Sequence, residues 1–489
     1  MSRVRWRVLA AVTAGLMCVS AALSGAAGAA SATPANGGIS GVKGNPQPEL
    51  KPFKIASTGY GGGNAAVESN GALVVAYAIA NGDGKTVVCV LDRGASKCSS
   101  SVTLSPLDGD DLEGTPAVFA PSPNHVVVLM GTCCDANPNG GDLVFTSTNG
   151  GKTFGAPVRV GETVGVDAQA LIGGQIVFAS GGSDGAQVES IPVSPGGPPA
   201  QTAIPITAVS YGIGVGSYKG GALIASDYDG SVNNTYVDYA PAGKSFNASG
   251  SYRNVGRFSN ETFVAISGDA LLTEAASGAL RVRLFNGTKF GPVHVVPALG
   301  ELGGPVWWAL DQDPRGQVDV FSDRAFAPVS YDLYAQTTST GANSTGAKWS
   351  SPLNLGNAIT SDYFGSALDS IGSGLVVGTN DHEPVWIYPV LAPQGVSFGL
   401  QKTTIGKGRT TVGSGKGSPI AKGRTVWLQV ERSGGKWWTV ATTHENASGS
   451  FSFTIKGSAA GRYAYRAVVS DFAGYLQYGY SAGRTLKVS

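Results

Sequence analysis

Several residue types are scarce in this chain, and each scarcity excludes a class of function. Only 4 histidines occur in 489 residues, and they are spread along the chain, so a histidine-rich metal motif is absent. Charged residues make up only 14% of the sequence, and long amphipathic helical patterns are absent after residue 30. No glycine-rich nucleotide loop leads from a strand into a helix, and no Gly-x-Ser-x-Gly elbow lies in an α/β context. The sequence therefore predicts an all-β chain without these forms of chemistry.

Glycine is abundant, and its placement predicts the architecture. The chain has 72 glycines, many of them in Asn-Gly or Gly-Gly turns between short apolar or alternating runs. A unit of a few short strands recurs roughly every 40–60 residues between residues 59 and 391, which is typical of a β-propeller. Seven blades fit best, and six remain open. The last unit lacks a fourth strand, so we expect residues 51–56 to pair with residues 385–391 and close the ring.

The N-terminus has the pattern of an export signal. Arg3, Arg5 and Arg7 precede an apolar stretch over residues 8–25, and the small residues Ala30-Ser31-Ala32 form a cleavage site. A membrane anchor is the alternative, but the run is short for a span and diluted by small residues. We expect a signal peptide over 1–32, a flexible segment over 33–50, and a secreted monomer without a transmembrane segment after cleavage, either extracellular or associated with the cell wall.

Four cysteines follow the signal, in what would be an oxidising compartment. Cys89 and Cys98 lie on consecutive predicted strands of the first blade, and we expect a disulfide between them. The adjacent Cys133 and Cys134 lie in a predicted loop. They could form a strained ring, pair elsewhere or stay reduced.

The chain changes character after residue 393. We assign residues 51–393 to the propeller, 394–418 to a linker and the start of a sandwich, and 419–489 to a small β-sandwich. The last segment resembles bacterial immunoglobulin-like modules in residues 426–430, 436–438 and 461–466. From residue 402 onwards there are 13 basic and 3 acidic residues, whereas residues 33–401 carry 18 basic and 30 acidic ones. The basic module could attach to anionic envelope polymers, or its lysines could only keep it in solution.

Residues 147–154, Ser-Thr-Asn-Gly-Gly-Lys-Thr-Phe, resemble the Asp-box of the sialidase superfamily and related BNR-repeat propellers. The matching positions are Ser147, Asn149, Gly151 and Phe154, with Asn149 in place of the usual Asp. Degenerate copies end at Phe246, Phe290 and Trp349, and in each copy we expect the aromatic residue to open a fourth strand. The physical role is structural: a short polar side chain binds turn amides, glycine adopts a positive φ, and the aromatic ring packs between sheets.

The resemblance to sialidases implies three arginines around the substrate carboxylate, a Tyr activated by a Glu, and an acid/base Asp. The early Phe/Tyr-Arg-Ile-Pro motif of those enzymes is absent here. Arg281 and Arg283 are expected on outer strands or opposite-face turns, and only Arg257 and Arg324 on loops of the functional face. Catalytic sialidase activity is therefore not supported.

The predicted functional face is formed by the loops between blades and between second and third strands, and it is acidic with a few aromatic residues. Its candidate glycan-binding residues are Asp110, Asp111, Glu113, Asp167, Tyr228, Asp229, Arg257, Glu261, Asp323, Arg324, Asp362, Tyr363 and His382. The densest oxygen cluster could bind Ca²⁺ through Asp108, Asp110, Asp111 and Glu113.

These features favour a secreted sialidase-like propeller that binds extracellular carbohydrate, a cell-envelope polymer or another surface partner. The alternatives are an exo-acting glycoside hydrolase of the same superfamily, which would use two suitably spaced carboxylates, and a structural envelope protein. Solvated loop charge alone would also explain the acidic face. A nucleic-acid partner is not expected for so acidic a propeller.

Overall fold

The computed structural model describes residues 52–489 with gaps. The gaps are residues 80–84, 106, 108–110, 134–141, 161–167, 183–184, 193–204, 207–211, 230–232, 247, 297–307, 313–316, 326–330, 338–348, 350–352, 359–362, 369–372, 380–383, 393, 433–434 and 473–475.

The described part of residues 52–392 forms seven four-stranded antiparallel sheets, numbered here in chain order. Sheet 1 consists of β2 Tyr60–Val67, β3 Leu73–Ile79, β4 Lys85–Leu91 and β5 Ser100–Leu104. Sheet 2 consists of β6 Asp111–Ser122, β7 His125–Cys133, β8 Asp142–Ser147 and β9 Val158–Val160. Sheet 3 consists of β10 Ala168–Ile172, β11 Gln175–Gly182, β12 Gly185–Pro192 and β13 Pro205–Ile206. Sheets 4 and 5 consist of β14 Ile213–Tyr218, β15 Gly221–Asp229, β16 Asn233–Ala240 and β17 Arg253–Ser259; and β18 Glu261–Ser267, β19 Ala270–Ala275, β20 Leu280–Leu284 and β21 His294–Val295. Sheets 6 and 7 consist of β22 Trp308–Gln312, β23 Val318–Ala325, β24 Tyr331–Thr337 and β25 Leu353–Ala358; and β26 Tyr363–Leu368, β27 Gly374–Thr379 and β28 Val385–Val390, with β1 Phe53–Ala56 as fourth strand.

The first strands of successive sheets lie next to one another, from β2 through β6, β10, β14, β18 and β22 to β26, and β26 lies against β2. The N-terminal strand completes sheet 7: Phe53 lies opposite Ile387 and Lys54 opposite Trp386. The predicted pairing of the chain ends is thus confirmed, and it covers a sheet edge that would otherwise expose unpaired backbone groups. This arrangement is consistent with a propeller-like fold.

Each sheet packs on both faces, and this explains the nearly continuous apolar strands. In β3, Val74 and Ala76 pack with residues of sheet 2 such as Val128, whereas Val75 and Tyr77 pack with residues of sheet 7 such as Val377. Because alternate side chains of a strand point to opposite faces, a strand between two neighbours needs apolar residues at every position. The cores therefore lie between sheets.

The C-terminal part forms two further sheets. Their strands are β29 Gly395–Leu400, β30 Thr404–Ile405, β31 Thr410–Ser418, β32 Thr425–Arg432, β33 Lys436–His444, β34 Ser450–Lys456, β35 Gly461–Val469, β36 Gly479–Tyr480 and β37 Arg484–Val488. One sheet pairs β29, β31 and β34, and the other holds the remaining six strands. A shared core includes Phe398, Val426, Phe453 and Ala467. Residues 395–418, assigned from sequence to a linker and sandwich start, already contain three of these strands.

The predicted hairpin disulfide is confirmed. Cys89, on β4, is bonded to Cys98, which precedes β5, with Cα atoms 5.5 Å apart. Cys133 ends β7, and Cys134 lies outside the described residues. Within the described part of the chain, no helix has the length and apolar character needed to cross a membrane.

Candidate functional site

The predicted rim residues are divided between gaps and strand ends. Asp108, Asp110, Asp167, Asp362 and His382 lie outside the described residues. The others were expected in loops but lie within strands, namely Asp111 and Glu113 in β6, Tyr228 and Asp229 in β15, Arg257 in β17, Glu261 in β18, Asp323 and Arg324 in β23, and Tyr363 in β26. The loop placement is wrong for these residues because the ladders continue past the turn signals, as in the pairing of Asp229 with Asn233.

Glu261 is the best-defined member of this set, and it is buried rather than exposed on a rim. It is the first residue of β18 and retains 4% of its accessible surface. Arg283 donates from Nη1 to Oε2 at 2.6 Å and from Nη2 to Oε1 at 2.7 Å, while Arg281 Nη1 donates to Oε1 at 2.5 Å. The Thr273 hydroxyl donates to Oε2 at 2.6 Å.

These bonds hold Glu261 as a carboxylate. Burial alone would raise its pKa, but hydrogen bonds from Arg283, Thr273 and Arg281, with the charge of Arg283, outweigh burial and lower the pKa to about 2. Each carboxylate oxygen accepts two hydrogen bonds, so Glu261 is poorly placed to attack a substrate or to activate water. Its evident effect is to orient the two guanidinium groups.

Asp227 lies on β15 of the neighbouring sheet 4, and its side chain is hydrogen-bonded to β18, the strand that begins with Glu261. Its Oδ1 accepts hydrogen bonds from the Phe263 amide at 2.6 Å and from the Thr235 hydroxyl at 3.2 Å. The Thr235 hydroxyl also lies 2.9 Å from the backbone oxygen of Glu261, which links the two sheets. Burial raises the pKa of Asp227 to about 6, although the two hydrogen bonds act in the opposite direction.

Glu261, Arg281 and Arg283, together with Asp227 on the neighbouring sheet, are called the cluster below. The side chain of Arg281 is 35% exposed, whereas that of Arg283 is 8% exposed and its guanidinium lies 4.4 Å from the centre of the Phe258 ring. Among the described residues, no donor is bonded to Asp227 Oδ2. Two cations and two carboxyl groups make the cluster nearly neutral when both are ionised.

The sequence analysis names Glu261 only as a residue of an exposed rim, and it misses the partners of this residue. Arg281 and Arg283 were placed on outer strands or opposite-face turns; both are on the third strand, β20, but their side chains reach the first strand. The alternation Leu-Arg-Val-Arg-Leu over β20 was the available signal, since it places both arginines on one face of a strand between sheets. Buried arginines require an acidic partner.

Residues 147–154 form a turn after β8, with Gly150 and Gly151 at φ values of 72° and 76°. The Ser147 hydroxyl accepts the Gly151 amide at 2.9 Å, and Asn149 Oδ1 accepts the Thr153 amide at 3.0 Å. Phe154 packs against the core between sheets 1 and 2.

The expectation that the aromatic residue opens the fourth strand is wrong. The fourth strand β9 begins at Val158, and β17 and β21 likewise begin after Phe246 and Phe290. In the copy ending at Phe290, Asn286 Oδ1 accepts the amides of Thr288 and Lys289 at 3.0 Å.

No group of three or more His, Cys, Asp or Glu side chains is placed to hold a metal ion within the described ranges. Two of the four residues of the predicted Ca²⁺ cluster, Asp108 and Asp110, lie in a gap. Calcium binding stays a prediction.

No family model matches the chain, and no curated protein matches it. Among solved structures, apo AztD from Citrobacter koseri is similar at 12% identity and a TM-score of 0.34, over 59% of this chain and 85% of AztD. A post-proline cleaving enzyme from Rickettsia typhi has 10% identity and a TM-score of 0.37, over 74% of this chain and 58% of the enzyme. An exo-β-1,3-galactanase from Phanerochaete chrysosporium has 9% identity and a TM-score of 0.32, over 88% of this chain and all of the galactanase. At these TM-scores, the likenesses assign neither a family nor an activity.

Proposed function

We propose that the protein is exported and that its first part is a seven-bladed, sialidase-like β-propeller that binds extracellular glycan without transforming it. The second part would be an immunoglobulin-like β-sandwich. The seven four-stranded sheets and the adjacency of their first strands support the blade count. The disulfide supports folding in an oxidising compartment, as expected after the signal sequence.

One observation carries the binding proposal: the neighbouring sheets 4 and 5 each hold a polar group fixed by hydrogen bonds, an acceptor on β15 and a donor on β20. Glu261 orients Arg281, whose side chain is 35% exposed, and Asp227 Oδ2 accepts no hydrogen bond from the residues that the structure describes. Sugar hydroxyl groups donate and accept hydrogen bonds, so they match such a pair, and groups already held in place lose little entropy on binding. The near-neutral charge favours neutral sugars over acidic ones.

The test is a glycan array probed with the mature protein, with and without Ca²⁺. We expect retention of neutral glycans, reduced about tenfold by Arg281→Gln, since a charge-assisted hydrogen bond contributes about 1.5–3 kcal/mol. Arg253→Gln is the matched control, because Arg253 is an exposed arginine of sheet 4 that bonds to Gly287 O. Equal binding by wild type and Arg281→Gln would contradict the proposal, as would the absence of any retained neutral glycan.

A glycoside hydrolase is the second candidate, and the raised pKa of Asp227 favours it. A carboxyl group with a pKa of about 6 can act as a general acid near neutral pH. Hydrolysis also needs a second carboxylate, and Glu261 has its oxygens occupied. Turnover of a fluorogenic glycoside that is abolished by Asp227→Asn would favour the hydrolase over the binding protein.

A further inference from the structure

The six-stranded C-terminal sheet has one face toward the core and one face away from it. Val426, Leu428 and Val430 of β32 point into the core, so Trp427 and Gln429 point to the opposite face. On that face Gln429 lies opposite Arg466, and Glu431 lies opposite Trp437.

This outer face carries four aromatic rings that are only partly buried. The guanidinium of Arg466 lies 4.3 Å from the ring centre of Trp437 and 5.0 Å from that of Tyr480. Trp427 and Tyr478 lie 5.9 Å apart with their planes 32° from parallel. These four rings and Arg466 are called the aromatic face below.

The aromatic face also has unused hydrogen-bonding capacity. Arg466 is 7% exposed, and its Nε donates to Gln429 Oε1 at 2.9 Å. Its Nη2 has no hydrogen-bond partner among the residues that the structure describes. A buried, unsatisfied donor is costly, so an incoming acceptor there would be favourable.

The local charge indicates which kind of ligand fits. The C-terminal module is strongly basic, yet two of its three acidic residues, Glu431 and Asp471, lie beside this face. The charge of Glu431 opposes the lowering of the pKa of Arg466 by burial, and Asp471 is hydrogen-bonded to Tyr478. With two carboxylates beside the aromatic face, its single guanidinium does not attract a polyanion. Flat rings with interspersed donors and acceptors suit the apolar faces and hydroxyl groups of sugar rings.

We propose that the aromatic face is a second carbohydrate site, which binds neutral polysaccharide chains by stacking pyranose rings on Trp437 and Tyr480. This site is separate from the proposed propeller site and depends on none of its residues. It would hold the protein on a polymer while the propeller site binds another glycan.

The experiment is affinity electrophoresis of the full mature chain through gels that contain a neutral β-glucan, a neutral α-glucan or polygalacturonate. We expect at least one neutral glucan to retard the protein. Trp437→Ala should weaken this binding about tenfold, the effect of one desolvated aromatic contact. Trp437→Phe should retain most of the affinity, because it keeps a ring.

Trp438→Ala is the matched control, since Trp438 is 44% exposed on the same strand but lies opposite Val430, on the other face of the sheet. It should bind as wild type. Equal losses in Trp437→Ala and Trp438→Ala, or no retardation by either neutral glucan, would overturn the proposal.

Loss of glucan binding in Asp227→Asn, with binding kept in Trp437→Ala, would assign glucan binding to the propeller site and would overturn the proposal as well. Retardation by polygalacturonate alone, abolished by salt, would point to the scattered lysines and arginines and would also overturn it.

Discussion

At the scale of single residues, Glu261 matters most to the cluster because it neutralises two arginines in a buried position. Glu261→Gln leaves Arg283, a residue that is only 6% exposed, without a counter-charge. We expect a loss of about 3 kcal/mol in the free energy of unfolding, the usual cost of breaking a buried pair. Denaturant unfolding measures this loss.

Glu274→Gln is the control, since Glu274 lies in the same sheet and burial raises its pKa. It should change stability by less than about 1 kcal/mol. Similar losses in both variants would show that Glu261 contributes no more than a generic acid at this depth.

Asp227 should make stability depend on pH in the opposite sense to Glu261. Its folded-state pKa of about 6 lies above the value of an unfolded Asp, so the folded state favours the protonated form. Its contribution is therefore fully present below about pH 4 and is lost as pH rises through about 6. Asp227→Asn should match wild type near pH 4 and exceed it at pH 7 by on the order of 1–3 kcal/mol.

Thermal unfolding from pH 4 to pH 7 tests this dependence. The lowered pKa of Glu261 changes the free energy of unfolding only below about pH 4.5. Because this change is the same in wild type and in Asp227→Asn, it cancels in the difference between them. A difference between variant and wild type that stays constant across the range would contradict the assigned role of Asp227.

At the scale of elements, the disulfide ties β4 to the segment that leads into β5. It closes a loop with a sequence separation of 9. A cross-link over a loop of this size contributes about 2–3 kcal/mol by limiting the unfolded chain. We expect Cys98→Ala to lower stability by this amount, and reducing agent to destabilise wild type but not the variant. Peptide mapping of the unreduced protein should recover the linked pair, and alkylation of both thiols in native protein would count against it.

At the scale of the whole molecule, the ring depends on the pairing of its two ends. Deletion of residues 33–56 removes β1, exposes the edge of β28 and uncovers the core where Phe53 and Ile55 pack. We expect a strongly lowered melting temperature. Deletion of 33–50, which retains β1, is the control, and an unchanged melting temperature in the longer deletion would refute closure by this strand.

The pairing of arginines with acidic residues also bears on whether the protein acts as a sialidase. A sialic acid carboxylate needs unpaired arginines, whereas Arg281 and Arg283 are already bonded to Glu261. We expect little or no turnover of a fluorogenic sialoside. Efficient turnover that is abolished by Arg257→Ala or Arg324→Ala would be evidence for a sialidase.

The sequence by itself determined the all-β class, the repeating hairpins, the closing strand and the Cys89–Cys98 bond. These features depend on alternation and turn residues, which act over a few neighbours, or on which strand ends are left unpaired. The cluster around Glu261 was decided by tertiary structure, because its hydrogen bonds join residues 12 to 36 positions apart and come from two sheets. Likewise, alternation separates Trp437 from Trp438, but only the tertiary structure places Trp437 beside Arg466 and leaves Trp438 exposed.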